Sequence, residues 1–169
     1  ISDVDDDDSP SFNDVGSTVG DNRFGSFPLT GGTWTYTLDQ TAVQNLDAGD
    51  VVNDTITYTA TDGSTQQITV TITGTDDASV ITGTVTGAVN EGNIGDAPVT
   101  ASGSIAISDV DDDDSPSFND VGATVGDNSF GSFTLTGGTW TYTLDQTAVQ
   151  NLDAGDVVND TILYTATDG

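Results

Sequence analysis

Residues 1–63 recur as residues 107–169, 106 positions on, with four differences: Ser17/Ala123, Arg23/Ser129, Pro28/Thr134 and Thr57/Leu163. No other feature constrains the fold as strongly. The period is well beyond the roughly 20–50 residues of solenoid units, so it predicts a tandem array in which each repeat closes its own core. Residues 64–106 occur once, and the chain reads as a piece of a longer array entered and left in mid-repeat. The seam is expected at 75–79, where Gly74-Thr75-Asp76-Asp77 closes one strand before another opens at Val80. This gives a first domain at 1–76 and a second at 77–169. The first then lacks its opening strands, counterparts of 79–106, and the second lacks its closing strand, counterpart of 64–73.

Within a period the pattern is that of strands. Gly31-Gly32 separates 24–30 from 33–38, a hairpin signal. In the second arm Trp34, Tyr36 and Leu38 alternate with Thr33, Thr35 and Thr37, so one face is apolar. The segments 55–61 and 66–73 form a second hairpin around Asp62-Gly63-Ser64, with Ile56, Tyr58 and Ala60 sharing one face. Strands are also expected at 80–89 and 99–108, and a short helical turn within 41–50. About seven strands per repeat, with a turn signal every 8–12 residues or so, fit an antiparallel β-sandwich of immunoglobulin size. The fold class is therefore all-β, as tandem antiparallel sandwiches. Trp34, Tyr36, Trp140 and Tyr142 are expected in the cores.

The charge is lopsided. Twenty-eight acidic residues, all Asp except Glu91, face one basic residue, Arg23, for a net charge of −27. This excludes nucleic acid as a partner, since phosphate binding needs a basic footprint, and it disfavours anionic membranes. No apolar run approaches the roughly 18 residues of a membrane span. The absence of Cys and His removes thiolate metal sites and the common nucleophile–base arrangements, so no enzyme is expected.

The acid is concentrated in ISDVDDDDSPSF, present at 1–12 and again at 107–118. Asp3, Asp5 and Asp7 alternate along the first copy, as Asp109, Asp111 and Asp113 do along the second. So much like charge on one segment needs screening by water or a cation. Calcium, which takes about six to eight oxygen ligands, is the cation that suits it. Asp47, Asp50 and Asp54 are read instead as turn formers and caps.

The series TGAVNEGN, SDVD, GTWTYTLD, VNDTITYTATDG and ITVTITGTDDASV resembles the VCBS repeat of large secreted bacterial adhesins, a cadherin-like family, over essentially the whole period. The resemblance implies the cadherin calcium scheme. Glu91 is similar to the early Glu of the first loop, and Asp3 with Asp5 and Asp109 with Asp111 are similar to the DxD pair. Asp62 and Asp168 resemble the AxDG aspartate, and Asp76 and Asp77 the linker acids. Which of Asp6–Asp8 and Asp112–Asp114 join them stays open. The implied function is a calcium-rigidified extender in an extracellular fibre concerned with cell adhesion. Its partners would be neighbouring repeats of the same long chain, with head-to-tail self-association into fibres as a further possibility. The alternatives are a glycan- or protein-binding sandwich module and a strand-donating filament subunit.

Overall fold

A computed structural model of the chain describes residues 9–167. Asp3, Asp5, Asp7 and Asp168 lie outside the described residues. The described chain is all-β and antiparallel throughout, and its only helical element is a 3-10 turn at Gln40–Ala42. It falls into two compact units, one of residues 9–77 with Val110–Asp112, the other of Ala78–Asp109 with residues 113–167.

The first unit is built from two hairpins. One is interrupted: β1 (Gly25–Ser26), β2 (Leu29–Thr30), β3 (Thr33–Trp34) and β4 (Thr37–Leu38) pair as Gly25↔Leu38 and Leu29↔Trp34. Gly31 and Gly32, at φ 56° and 78°, make the tight turn that two successive left-handed residues allow. The other is continuous: β5 (Val51–Thr59) and β6 (Thr65–Thr73) pair from Val51↔Thr73 to Thr59↔Thr65. The core between them is Phe27, Leu29, Ile56 and Tyr58, with Phe12, Val15, Tyr36, Ile68 and Val70 packed around it. Each of the large side chains in this core contributes roughly 1.5–3 kcal/mol by leaving water. The Tyr36 ring lies 4.6 Å from that of Phe27, and the Tyr58 hydroxyl donates to the Phe27 carbonyl at 3.1 Å.

The second unit contains β7 (Val80–Gly83), β8 (Thr100–Ser108), β9 (Ser117–Phe118), β10 (Val121–Val125), β11 (Gly131–Thr136), β12 (Thr139–Leu144) and β13 (Ala166–Thr167). Five of these form one sheet in the order β10-β11-β12-β8-β7, while β9 pairs with β13. Its core is Leu135, Trp140, Tyr142, Leu144 and Val149.

Identical sequence takes different structure in the two units. Residues 139–144 form one unbroken strand because β8 lies alongside, in register from Thr139↔Ser104 to Thr143↔Thr100. Residues 33–38, with the same sequence, pair only with the other arm of their own hairpin among the described residues. Trp140 is accordingly 6% exposed and Trp34 40%, which corrects the expectation that both tryptophans are core. Conversely, Val51–Thr59 is a full strand against β6, whereas its repeat at 157–165 has no strand assignment. The strand expected over 80–89 ends at Gly83, where φ is +122° and a side chain would strike the Ser104 carbonyl. The chain leaves the ladder there.

Candidate metal centre

The acidic loop that follows β8 carries the candidate ligands. In the first unit, Asp111 is 4% exposed, and its Oδ2 accepts the backbone N–H of Asp77 at 2.7 Å. Asp112 is tied to the loop after the 3-10 turn: its N–H donates to the Asn45 carbonyl at 3.2 Å, and Asn45 Nδ2 donates to its Oδ2 at 2.7 Å. Two residues past Asn45, Asp47 presents a carboxylate oxygen within 4.8 Å of one from Asp111. Asp114 lies three residues on from Asp111 in the same loop.

Local sequence explains why Asp47 stands where it does. Asp39 caps the 3-10 turn by accepting the Thr41 N–H at 3.0 Å and its hydroxyl at 2.7 Å, and these bonds hold its carboxyl below the usual carboxylate range. Leu46 is buried, anchoring the loop. Gly74 then approaches so closely that a side chain there would overlap the Asp47 carbonyl, and its N–H bonds to Asp50. Two carboxylates at this separation repel by about 3–4 kcal/mol at an effective dielectric of about 20. The chain holds one basic side chain, Arg23, which sits in the turn between Gly20 and Gly25. A hard divalent cation with carboxylate and carbonyl ligands is what such a donor set suits, so the residues present fit calcium.

The other candidates are distributed differently. In the second unit Asp109 Oδ2 accepts the Ser79 hydroxyl at 2.8 Å. Asp76, Asp113 and Glu91 are exposed. Asp62 closes the turn between β5 and β6, its Oδ1 accepting the Ser64 N–H at 2.9 Å and hydroxyl at 2.7 Å, which lowers its pKa. That turn is at the opposite end of the β5–β6 ladder from Val51, roughly 25–30 Å away at the usual rise per residue. Asp62 therefore sits apart from Asp47, on the side where Phe12 bridges Ala60.

One aspartate is corrected outright. Asp54 forms neither a turn nor a cap: it lies in mid-strand, 0% exposed. Its carboxylate accepts the Asn22 N–H, the Thr55 N–H and the Tyr36 hydroxyl, each at 3.1 Å. Its repeat, Asp160, accepts from Asn128, Phe130 and Gly131 N–H groups and from the Tyr142 hydroxyl. A side chain at Gly20 or Gly126 would overlap these carboxylates. Asp54 thus organises the neighbouring turn, in which Arg23 adopts φ 66°. The signal was present: Asp54 has the same parity as the inward-facing Ile56, Tyr58 and Ala60. Asp47, by contrast, is 64 positions from Asp111, and nothing in the sequence joins them.

No protein-family model matches the chain, and no curated protein matches it. Among the described residues no helix is long and apolar enough to cross a membrane.

Proposed function

We propose that the chain is part of a calcium-stiffened extender, a structural stretch of an extracellular adhesive fibre in which repeats follow one another. The observation that supports this is the pairing of Asp47 with Asp111 in the first unit: two segments distant in sequence converge on one acidic point in a chain with a single basic residue. Asp47, Asp77 and Asp111 are the residues of the first unit that would hold the ion. Bound calcium supplies positive charge where carboxylates otherwise repel, and it orders the acidic loop that precedes β9. Extracellular modules bind calcium at about 0.1–1 mM, so the ion would be bound outside a cell and absent in the cytosol. The role is mechanical rather than catalytic, and the partners are neighbouring repeats.

Thermal unfolding with calcium and with chelator tests this. At free calcium 100-fold above Kd, one site adds about 2.7 kcal/mol of stability. Magnesium, which gives up water reluctantly, should substitute poorly. Superimposable melting curves in calcium and in chelator would remove the metal from the account.

A further inference from the structure

Between β7 and β8 the second unit carries a long strap, residues 84–99, that has no strand assignment. Its first part lies on the core: Val89 packs against the buried cluster, and the Thr84 carbonyl accepts the Trp140 indole N–H at 2.6 Å. Farther on, the strap is fastened at one residue. Gly92 N–H donates to Gln146 Oε1 at 2.8 Å, and Gln150 Nε2 donates to the Gly92 carbonyl at 2.8 Å and to the Gln146 carbonyl at 2.8 Å. Two glutamines of the turn after β12 thus hold both backbone polar groups of one glycine. The clasp leaves one group over. With Oε1 taken by Gly92, the orientation of the Gln146 amide is fixed and Nε2 is the end that remains. Gln146 is 8% exposed, and its Nε2 is enclosed and meets no acceptor of the protein. A donor enclosed in this way is costly unless an acceptor reaches it. A carboxylate stands close by. A Cβ on Gly92 would lie 3.4 Å from Gln146 Nε2 and 2.9 Å from Asp96 Oδ2, so both atoms border the space that glycine leaves open. Asp96 Oδ2 is held there by the Asn93 N–H, which donates to it at 2.7 Å.

We propose that this space is a binding site for a single water molecule, which accepts from Gln146 Nε2 and donates to Asp96, with Gly92 leaving the room it needs. The chemistry of the two groups selects the ligand. It must accept from an amide and donate to a carboxylate. An anion would be repelled by Asp96 and a cation by the amide hydrogens, which leaves a hydroxyl. The enclosure of Nε2 limits that hydroxyl to the size of water. A bridging water is nearly as good a link as a direct hydrogen bond. The strap is therefore closed by hydration at the residue next to Glu91, in addition to the two glutamine bonds. The site does not depend on calcium and is complete in chelator, so its failure is separable from failure of the metal centre.

Magnetic relaxation dispersion of the solvent oxygen nuclei counts the long-lived waters of a protein, and in chelator no metal-bound water contributes. The count for the whole chain should fall by one in Gly92→Ala, whose methyl group stands in the site, and in Gln146→Leu, which lacks the donor. It should stay unchanged in Gln150→Leu, which loses a clasp bond and keeps the site. A second measurement on the native chain covers the case in which either of the first two variants loosens the fold. The Gln146 side-chain amide hydrogens should show a nuclear Overhauser effect to water with the sign of a bound molecule, not that of free solvent. Equal counts in the native chain and a folded Gly92→Ala overturn the proposal. So does a native Gln146 amide with no such effect to water, which would mean that Nε2 closes directly on Asp96.

Discussion

Tyr36 gives its phenolic hydrogen to the buried carboxylate of Asp54, 3.1 Å away, and Tyr142 makes the same bond to Asp160 at 3.3 Å. Each unit thus ties the second arm of its hairpin to the residue 18 positions on through one hydroxyl and one acid. For Tyr36, burial, then the hydrogen bond and charge of Asp54, push the phenol up from 10.0 to about 12. Tyr142 is likewise pushed to about 12, by burial first and then by Asp160.

Alkaline stability follows from the sign of these shifts. A phenol whose folded pKa lies above its unfolded value favours the folded state below pH 10, and that contribution disappears as pH rises through about 12. Stability should therefore fall between pH 10 and 12. Phenolate absorbance should rise in step with unfolding rather than ahead of it for Tyr36 and Tyr142. Early, free titration of all four tyrosines would contradict the bonds described.

Asp54→Ala should cost about 3 kcal/mol in urea unfolding, because a buried Tyr hydroxyl and two backbone N–H groups lose their acceptor where little water enters. Asp54→Asn should cost less, since an amide oxygen still accepts. Asp160→Ala should be milder than Asp54→Ala, because Asp160 is only half-buried and solvent can reach the stranded donors. Equal losses at the two sites would argue against a burial-based cause.

The tryptophans give a matched pair of truncations. Trp140→Ala should cost about 3–5 kcal/mol, and Trp34→Ala about 1 kcal/mol or less, as buried and exposed versions of one residue in one local sequence. Acrylamide should quench Trp34 and spare Trp140. Comparable quenching of the two would show that β8 does not shield Trp140.

Calcium titration of single variants separates the acids. Asp47→Asn and Asp111→Asn should each weaken calcium binding in the first unit by about tenfold or more, through loss of a charged ligand. Asp113→Asn should do less. Asp62→Asn should leave this site unaltered, because Asp62 belongs to the far turn of the ladder and already accepts two bonds from Ser64. Calorimetry that finds Asp47→Asn silent would move the centre elsewhere.

How much was legible in the sequence can be argued from these residues. The Gly31-Gly32 and Gly137-Gly138 hairpins were readable because two adjacent glycines and an alternating arm are local signals. The inward face of Ile56, Tyr58 and Ala60 was readable for the same reason. Asp54 departs from its expectation because residue type and parity conflict there: aspartate favours turns, while the alternation of Ile56, Tyr58 and Ala60 points position 54 inward. The contrast between Trp34 and Trp140 lay beyond any local reading, since it arises from a strand some 40 residues away that accompanies only one of them. Asp47 was lost for the same physical reason, its nearest carboxylate being brought up by the fold and not by the chain. Of the calcium ligands expected by resemblance, Asp111 and Asp77 meet through a hydrogen bond, while Asp62 and exposed Glu91 do not join the Asp47–Asp111 pair.

The clamp between Ser11–Phe12 and Ala60–Thr61 has a consequence for tension. Ser11 N–H donates to Thr61 Oγ1 at 3.1 Å, Thr61 N–H donates to the Ser11 carbonyl at 2.9 Å, and Phe12 bridges Ala60. The segment thus leaves the hairpin at its turn end, while Thr73 leaves at the other. A pull on these two points runs from Thr73 along the β6 backbone to the turn and across the clamp, so the clamp bears the force on a few bonds before the β5–β6 rungs are loaded. The clamp is the fuse: it should yield first, lengthening the unit while the ladder holds. In single-molecule pulling, Thr61→Val should lower the force of the first rupture and leave the later one unchanged. A unit built this way would give a little before it breaks.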